Sequence, residues 1–301
     1  MSETYEFVQL DVFTRTPLTG NPLAIFTDAR GLTDQQMQAL AREMNLSETT
    51  FILPREPQVE GQEGKRVRIF TVEEELPFAG HPTLGTALYL HSTATSGADE
   101  IVLDLNVGKI GVRFSTDSNE RSNRVAGDVF GEMRQRDPEF GPTLPPDKVA
   151  IVLGSEEIAA EWPSQIVSTG LPFAIVPIRD SKTLANLKPD LVKAGALLEG
   201  TGARFCYFIS PEEREGRLEV RARMFFYGGE DPATGSAAGC AVSWIVRHGV
   251  AKSDEQIVIY QGVEARRPSE IFVRASRDGE KVTNVRVGGY AVEVLRGTVT
   301  L

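Results

Sequence analysis

The chain repeats one short motif after 155 residues, and this repeat limits the possible folds more than any other feature. The first copy reads Arg68-Ile69-Phe70, then Pro77-Phe78-Ala79-Gly80-His81. The second reads Arg223-Met224-Phe225, then Pro232-Ala233-Thr234-Gly235-Ser236. Weaker matches keep the same order. Gly20-Asn21-Pro22-Leu23-Ala24-Ile25 answers Gly170-Leu171-Pro172-Phe173-Ala174-Ile175, and Thr49 to Leu53 aligns with Phe205 to Ile209. Solenoid repeats are several times shorter, so this period implies a duplicated domain. A length of 301 residues suits two domains, each with its own core.

Local patterns predict mostly strands with one prominent helix per half. Val8 to Phe13 alternates as a half-buried strand, with Leu23 to Phe26 as its neighbour across a Gly20-Asn21-Pro22 turn. Thr33 and Gln36 form a capping-box pattern ahead of a helix reaching Met44, with Asn45 placed to close it. Ser47 and Glu48 then fall on the connection to a strand starting at Thr49. A second helical stretch is expected from Leu184 to Leu198. The motif helices should run from about His81 to Leu90 and from about Ser236 to His248; their small residues allow tight burial, with each half's strands wrapped around them. The polar stretch Ser115 to Asn123 marks the expected boundary. This gives halves at 1–125 and 126–285, with 286–301 joined to the first.

Composition narrows the function classes. The net charge of −10 argues against nucleic acid, because phosphate contacts need clustered Lys and Arg. No apolar run approaches membrane-spanning length, and the start lacks the pattern of a signal peptide. Cys206 and Cys240 supply no disulfide framework and fit a reducing cytoplasm. Three His and two distant Cys offer no metal-ligand cluster.

The two turns carry the chemistry. A helix N-terminus offers backbone N–H groups and partial positive charge, and Gly80 or Gly235 lets a ligand approach closely. Two such ends facing one site suit a small carboxylate. Glu48, His81, Asp231 and Ser236 lie nearby in sequence and can hold or move protons. Apolar neighbours such as Leu46 and Phe51 should raise the Glu48 pKa toward neutrality.

Several strings together resemble the phenazine-biosynthesis isomerase family, the PhzF-like proteins. They are Gly20-Asn21-Pro22, Ala41 to Phe51, Arg68 to Thr71, Glu75 to Gly85, Asp231 to Ala237, Tyr260-Gln261-Gly262 with Arg267-Pro268-Ser269, and Gly297-Thr298-Val299. The resemblance spans essentially the whole chain. It implies an α+β, diaminopimelate epimerase-like fold: two pseudo-symmetric halves, each a curled, mostly antiparallel sheet around a central helix, with the site in the cleft. It also implies a homodimer without metal or organic cofactor, acting on a dihydro-hydroxyanthranilate-like carboxylate. By the same resemblance Glu48 is the proton carrier, His81 and Asp231 complete the catalytic set, and Gly80, Gly235 and Ser236 contact substrate. Ser47 and the Asn21 amide are further substrate-binding candidates. One departure is Arg266, where the family commonly has Gly.

Related racemases and epimerases carry a thiol just before each turn glycine; here those positions are Ala79 and Thr234. One carboxylate relaying one proton fits better than inversion by two thiols. Epimerisation of an amino-acid-like substrate and non-catalytic binding of a small carboxylate stay as alternatives. A Ser236-His81-Asp231 hydrolase is disfavoured, since Gly235 to Gly239 is not a Gly-x-Ser-x-Gly elbow. Taken singly, Glu48 could be a solvated carboxylate, His81 a helix-start residue and Asp231 a cap of the second motif helix.

Overall fold

The computed structural model describes residues 3–94, 97–116, 129–154, 158–159, 161–226 and 229–301. The chain divides into two compact units, Met1–Met133 with Gly288–Leu301, and Arg134–Val287. The boundary expected at 125/126 lies outside the described residues.

The first unit contains β1 (Thr4–Val12), β2 (Asn21–Phe26), α1 (Asp34–Met44), β3 (Thr49–Ile52), α2 (Pro57–Glu63), β4 (Lys65–Phe70), β5 (Glu75–Leu76), α3 (Gly80–Thr93), β6 (Glu100–Leu105), β7 (Gly108–Thr116) and β8 (Val129–Arg134). Strand β1 pairs antiparallel with β2, β2 parallel with β3, β3 antiparallel with β4, β4 parallel with β6, and β6 antiparallel with β7. Parallel neighbours need a crossover. Helix α1 supplies it between β2 and β3, and α3 between β4 and β6.

The second unit contains β9 (Glu139–Thr143), α4 (Pro146–Leu153), β10 (Gln165–Ser168), β11 (Pro172–Pro177), α5 (Ser181–Ala185), α6 (Leu191–Leu198), β12 (Cys206–Arg214), β13 (Arg217–Phe226), β14 (Gly229–Asp231), α7 (Gly235–Arg247), β15 (Ile257–Gln261), β16 (Ser269–Asp278) and β17 (Lys281–Gly289). Its pairings repeat the first unit's: β10 antiparallel to β11, β11 parallel to β12, β12 antiparallel to β13, β13 parallel to β15, and β15 antiparallel to β16. Here α5 and α6 make the first crossover and α7 the second. The last strand, β18 (Ala291–Thr300), returns to the first unit and pairs antiparallel along the whole of β1.

Local chemistry sets the element ends. Thr33 caps α1 with a complete capping box, and Asn45 closes it in the left-handed conformation at φ 50°. Met37, Leu40 and Ala41 face inward and join Phe26, Phe51 and Phe70 in one apolar cluster. The helix expected from Leu184 to Leu198 is instead two. Pro189 cannot continue α5, and the Asp190 side chain accepts from the Val192 and Lys193 N–H groups to start α6 afresh. The central helices are buried almost all round: Gly80 to Leu88 in α3, Gly235 and Ala237 to Val246 in α7. Helix α3 lies so close to β1 and β2 that a Cβ at Gly85 would stand 2.7 Å from both Leu23 and Val12 side chains.

The strand registers also correct one repeat alignment. Ala24 faces Thr49 across β2–β3, and Ala174 faces Cys206 across β11–β12. Thr49 therefore corresponds to Cys206, one residue from the expected pairing with Phe205, and Glu48 corresponds to Phe205. The one-residue slip arose because both strands are buried on both faces, so no alternation marks the register.

Candidate active site

In the first unit three polar side chains meet. Asn21 does not form the expected turn; it is buried and opens β2 opposite Val12. The reversal is made by residues 13–20, with Phe13, Leu18 and Gly20 all at positive φ. Gly20 is obligatory there, since a Cβ would sit 2.4 Å from the Val12 carbonyl oxygen. Placed in the strand, Asn21 brings its Nδ2 to 3.3 Å from Nδ1 of His81, the second residue of α3. The other ring nitrogen, Nε2, lies 3.6 Å from Oε2 of Glu48. Glu48 reaches in from the connection between α1 and β3, where Ser47 beside it is half-buried.

Burial lowers the His81 pKa to about 3, outweighing the opposing hydrogen bond with the Pro22 backbone. The ring is thus neutral at physiological pH, and its approach to Glu48 is not an ion pair. A neutral imidazole leaves that carboxylate more basic than an imidazolium would.

In the second unit Asp231 ends β14 and is buried. It does not cap α7; Thr234 holds the N-cap position and makes no side-chain cap bond. The Thr234 hydroxyl instead donates to Asp231 Oδ2 at 2.7 Å. Ser236 is half-buried in the first turn of α7, directly after Gly235. Ala79, the N-cap of α3, likewise makes no side-chain bond, so neither first turn has its N–H groups occupied by its cap residue.

Both turns stand on the same brace. Arg68 grips Glu75 through two hydrogen bonds of 2.7 and 2.6 Å, and Arg223 grips Glu230 through two of 2.8 and 2.7 Å. Register fixes the correspondence: Phe70 faces Glu75, and Phe225 faces Glu230. Each bidentate pair fastens a short strand, β5 or β14, just ahead of its turn.

Sequence reasoning assigned no role to Gln261. It is fully buried and bonds the backbone on both sides of the second turn, at Asp231 and Thr234. The detectable signal was a polar residue at an inward position of β15, where Ile257 and Ile259 occupy the others. The following Gly262 lies under the turn: a Cβ there would meet the Pro232 carbonyl oxygen at 2.5 Å. Arg266 adopts φ 59°, a left-handed conformation that explains why glycine suits the position. The two cysteines are buried, with pKa values pushed up to about 12 for Cys206 and about 11 for Cys240, so neither offers a thiolate base. The His91 ring in the last turn of α3 packs against that of Phe114, with centroids 4.2 Å apart.

Comparison with known proteins agrees with this architecture. The family model described as phenazine biosynthesis-like protein matches residues 10–297. A Pseudomonas aeruginosa trans-2,3-dihydro-3-hydroxyanthranilate isomerase is 36% identical over 99% of this chain and 100% of its own length. A solved Bacillus anthracis phenazine biosynthesis protein of the PhzF family superposes with a TM-score of 0.85 at 25% identity, covering 99% of this chain and 100% of its own. A hydroxyproline epimerase from Agrobacterium vitis shares the fold, with a TM-score of 0.63 at 11% identity over 99% of this chain and 93% of its own. Among the described residues no helix is long and apolar enough to cross a membrane. The repeated sheet topology, the paired turns and the full-length matches place this chain in the phenazine biosynthesis-like (PhzC-PhzF) family, as an isomerase of the PhzF type.

Proposed function

We propose that this protein isomerises trans-2,3-dihydro-3-hydroxyanthranilate, or a cyclic carboxylate much like it, by moving one proton with Glu48. The observation that carries this is the buried approach of Glu48 to His81, 3.6 Å apart, with burial favouring the neutral imidazole. Glu48 takes a proton from one ring carbon and returns it to another, so the reaction has no net redox change and needs no second substrate. His81 stays neutral and steers the carboxylate and the substrate by hydrogen bonding. Asp231 polarises the substrate's nitrogen or hydroxyl, and Asn21 and Ser47 orient it. The first-turn N–H groups at Gly80 and Gly235, with the Ser236 hydroxyl, bind the carboxylate. Epimerisation by two thiols loses support because Ala79 and Thr234 occupy the positions it would need and both cysteines are buried.

The test is Glu48→Gln, which keeps size and removes the base. Turnover should fall by about 10²–10⁴-fold with the thermal midpoint unchanged. Incubation of substrate in deuterated water should give label uptake with the native enzyme and none with the variant. Full turnover by Glu48→Gln would overturn the assignment. A homodimer and a cytoplasmic location belong to the same proposal; light scattering should then report twice the chain mass of 32.9 kDa.

A further inference from the structure

Around the second turn, every hydrogen bond of one buried amide has its direction fixed by its partners. The carbonyl oxygen of Asp231 can only accept, and the backbone N–H of Thr234 can only donate. Gln261 therefore has one workable orientation. Its Nε2 donates to the Asp231 carbonyl at 2.8 Å, and its Oε1 accepts from the Thr234 N–H at 3.1 Å. A flipped amide would set donor against donor and acceptor against acceptor. The second hydrogen on Nε2 then goes to the Thr234 hydroxyl oxygen at 2.9 Å. That hydroxyl, accepting from Gln261, has one proton to give, and its acceptor is Asp231 Oδ2 at 2.7 Å. The remaining lone pair of Oε1 accepts from the Tyr207 hydroxyl at 2.8 Å.

We propose that Gln261 and Thr234 are positioning residues that set the polarity of this chain of hydrogen bonds, so that Asp231 Oδ2 always accepts and Oδ1 is the oxygen that polarises the substrate. The functional consequence rests on Asp231 being a catalytic carboxyl. A rotating, symmetrical carboxyl would present either oxygen to substrate; here the Thr234 hydroxyl holds Oδ2 and so fixes which oxygen is which. The donated bond also favours the charged form, so it sets proton affinity as well as direction. Tyr207 suits its place at the head of the chain, since burial and the nearby Asp231 charge keep its hydroxyl protonated. Strand β15 contributes Gln261 at its last residue, where Gly262 lets the chain pass beneath Pro232. The amide is anchored by backbone on both sides of the turn, so it cannot rotate without breaking several bonds at once.

The first unit has no such device. Strand register aligns Asp231 with Leu76 and Gln261 with Leu105, and the repeat aligns Thr234 with Ala79. Asp231, Thr234 and Gln261 thus all have apolar counterparts in the first unit, and the counterpart of Tyr207 is Thr50.

The experiment is a carboxyl-carbon NMR titration of protein labelled with carboxyl-¹³C aspartate, the Asp231 resonance being assigned by its loss in Asp231→Asn. Thr234→Val keeps the side-chain shape and removes the donor. It should raise the proton affinity of Asp231 by about tenfold, one pH unit, with the resonance still present. Thr234→Ser should restore the native midpoint. If Thr234→Val does not fold, Thr234→Ala reads the same quantity. An unchanged midpoint in Val or Ala, or failure of Ser to restore it, overturns the proposal. Turnover of trans-2,3-dihydro-3-hydroxyanthranilate by Asp231→Asn separates the two layers. Undiminished turnover would remove the catalytic role of Asp231 while leaving the titration result standing. Lost turnover with an unmoved Thr234→Val midpoint would sink the hydrogen-bond polarity alone.

Discussion

The two turn regions share a backbone and differ in what they bury. Each is a short strand, held by a bidentate Arg–Glu pair, running into a buried helix whose N-cap residue makes no cap bond. On that common frame the first unit sets Asn21, Glu48 and His81, where the second has Leu171, Phe205 and Ser236. The second sets Asp231, Thr234 and Gln261, where the first has Leu76, Ala79 and Leu105. Backbone ladders are indifferent to which side chains they carry, so inward positions can exchange polar for apolar residues without altering the topology. A symmetrical duplication thus becomes two chemically distinct sides, one built around a neutral imidazole and a carboxylate, the other around an oriented carboxyl.

The shared brace is the first place to break the comparison. Arg223 also donates to the carbonyls of Leu184, Ala185 and Leu187, closing the C-terminal end of α5, and is more buried than Arg68. Arg223→Met strands a half-buried Glu230 and several buried carbonyls, and should cost about 3 kcal/mol. Arg68→Met leaves Glu75 a bond from Asn106 and should cost about 1–2 kcal/mol. Urea unfolding of both variants checks the order; equal losses would mean that the two braces are energetically the same.

His81 gives a pH signature that Ser236 cannot. Its folded pKa of about 3 lies below the ordinary 6.5, so the unfolded chain binds the extra proton between those values. Its contribution is complete above pH 6.5 and is lost as pH falls toward 3, by up to about 1.4 kcal/mol per pH unit. Subtracting the stability–pH curve of His81→Asn from the native curve should isolate that slope. A flat difference curve would show that the imidazole titrates normally.

The smallest effect concerns the loop below the second turn. Arg266→Gly relieves a left-handed backbone and should stabilise the protein by about 1 kcal/mol. A rise in thermal midpoint with unchanged turnover is the expected result, and a fall would show that the Arg266 side chain contributes more than its backbone costs.

Elements governed by neighbouring residues were legible in the sequence. The Thr33 capping box, the Asn45 terminator and the two motif helices follow from chemistry within a few positions. The duplication showed because four residue types recur in register. The break at Pro189 was obscured by apolar residues at 184, 187, 191, 194 and 198, whose helical spacing runs unbroken through it. Asn21 was misread as a turn residue because Gly-Asn-Pro is turn chemistry, and the longer loop before it actually reverses the chain. Gln261 acts on groups 27, 30 and 54 residues away, a range at which periodicity carries no information.

The pairing of β18 along β1 bears on how the protein is made. Glu3 and Leu301 exchange backbone hydrogen bonds of 3.1 and 2.9 Å, so β1 must wait for β18, made nearly 300 residues later, before its outer edge is covered. On the ribosome, the second unit, made between β1 and β18, can finish folding while the first unit still exposes that open strand.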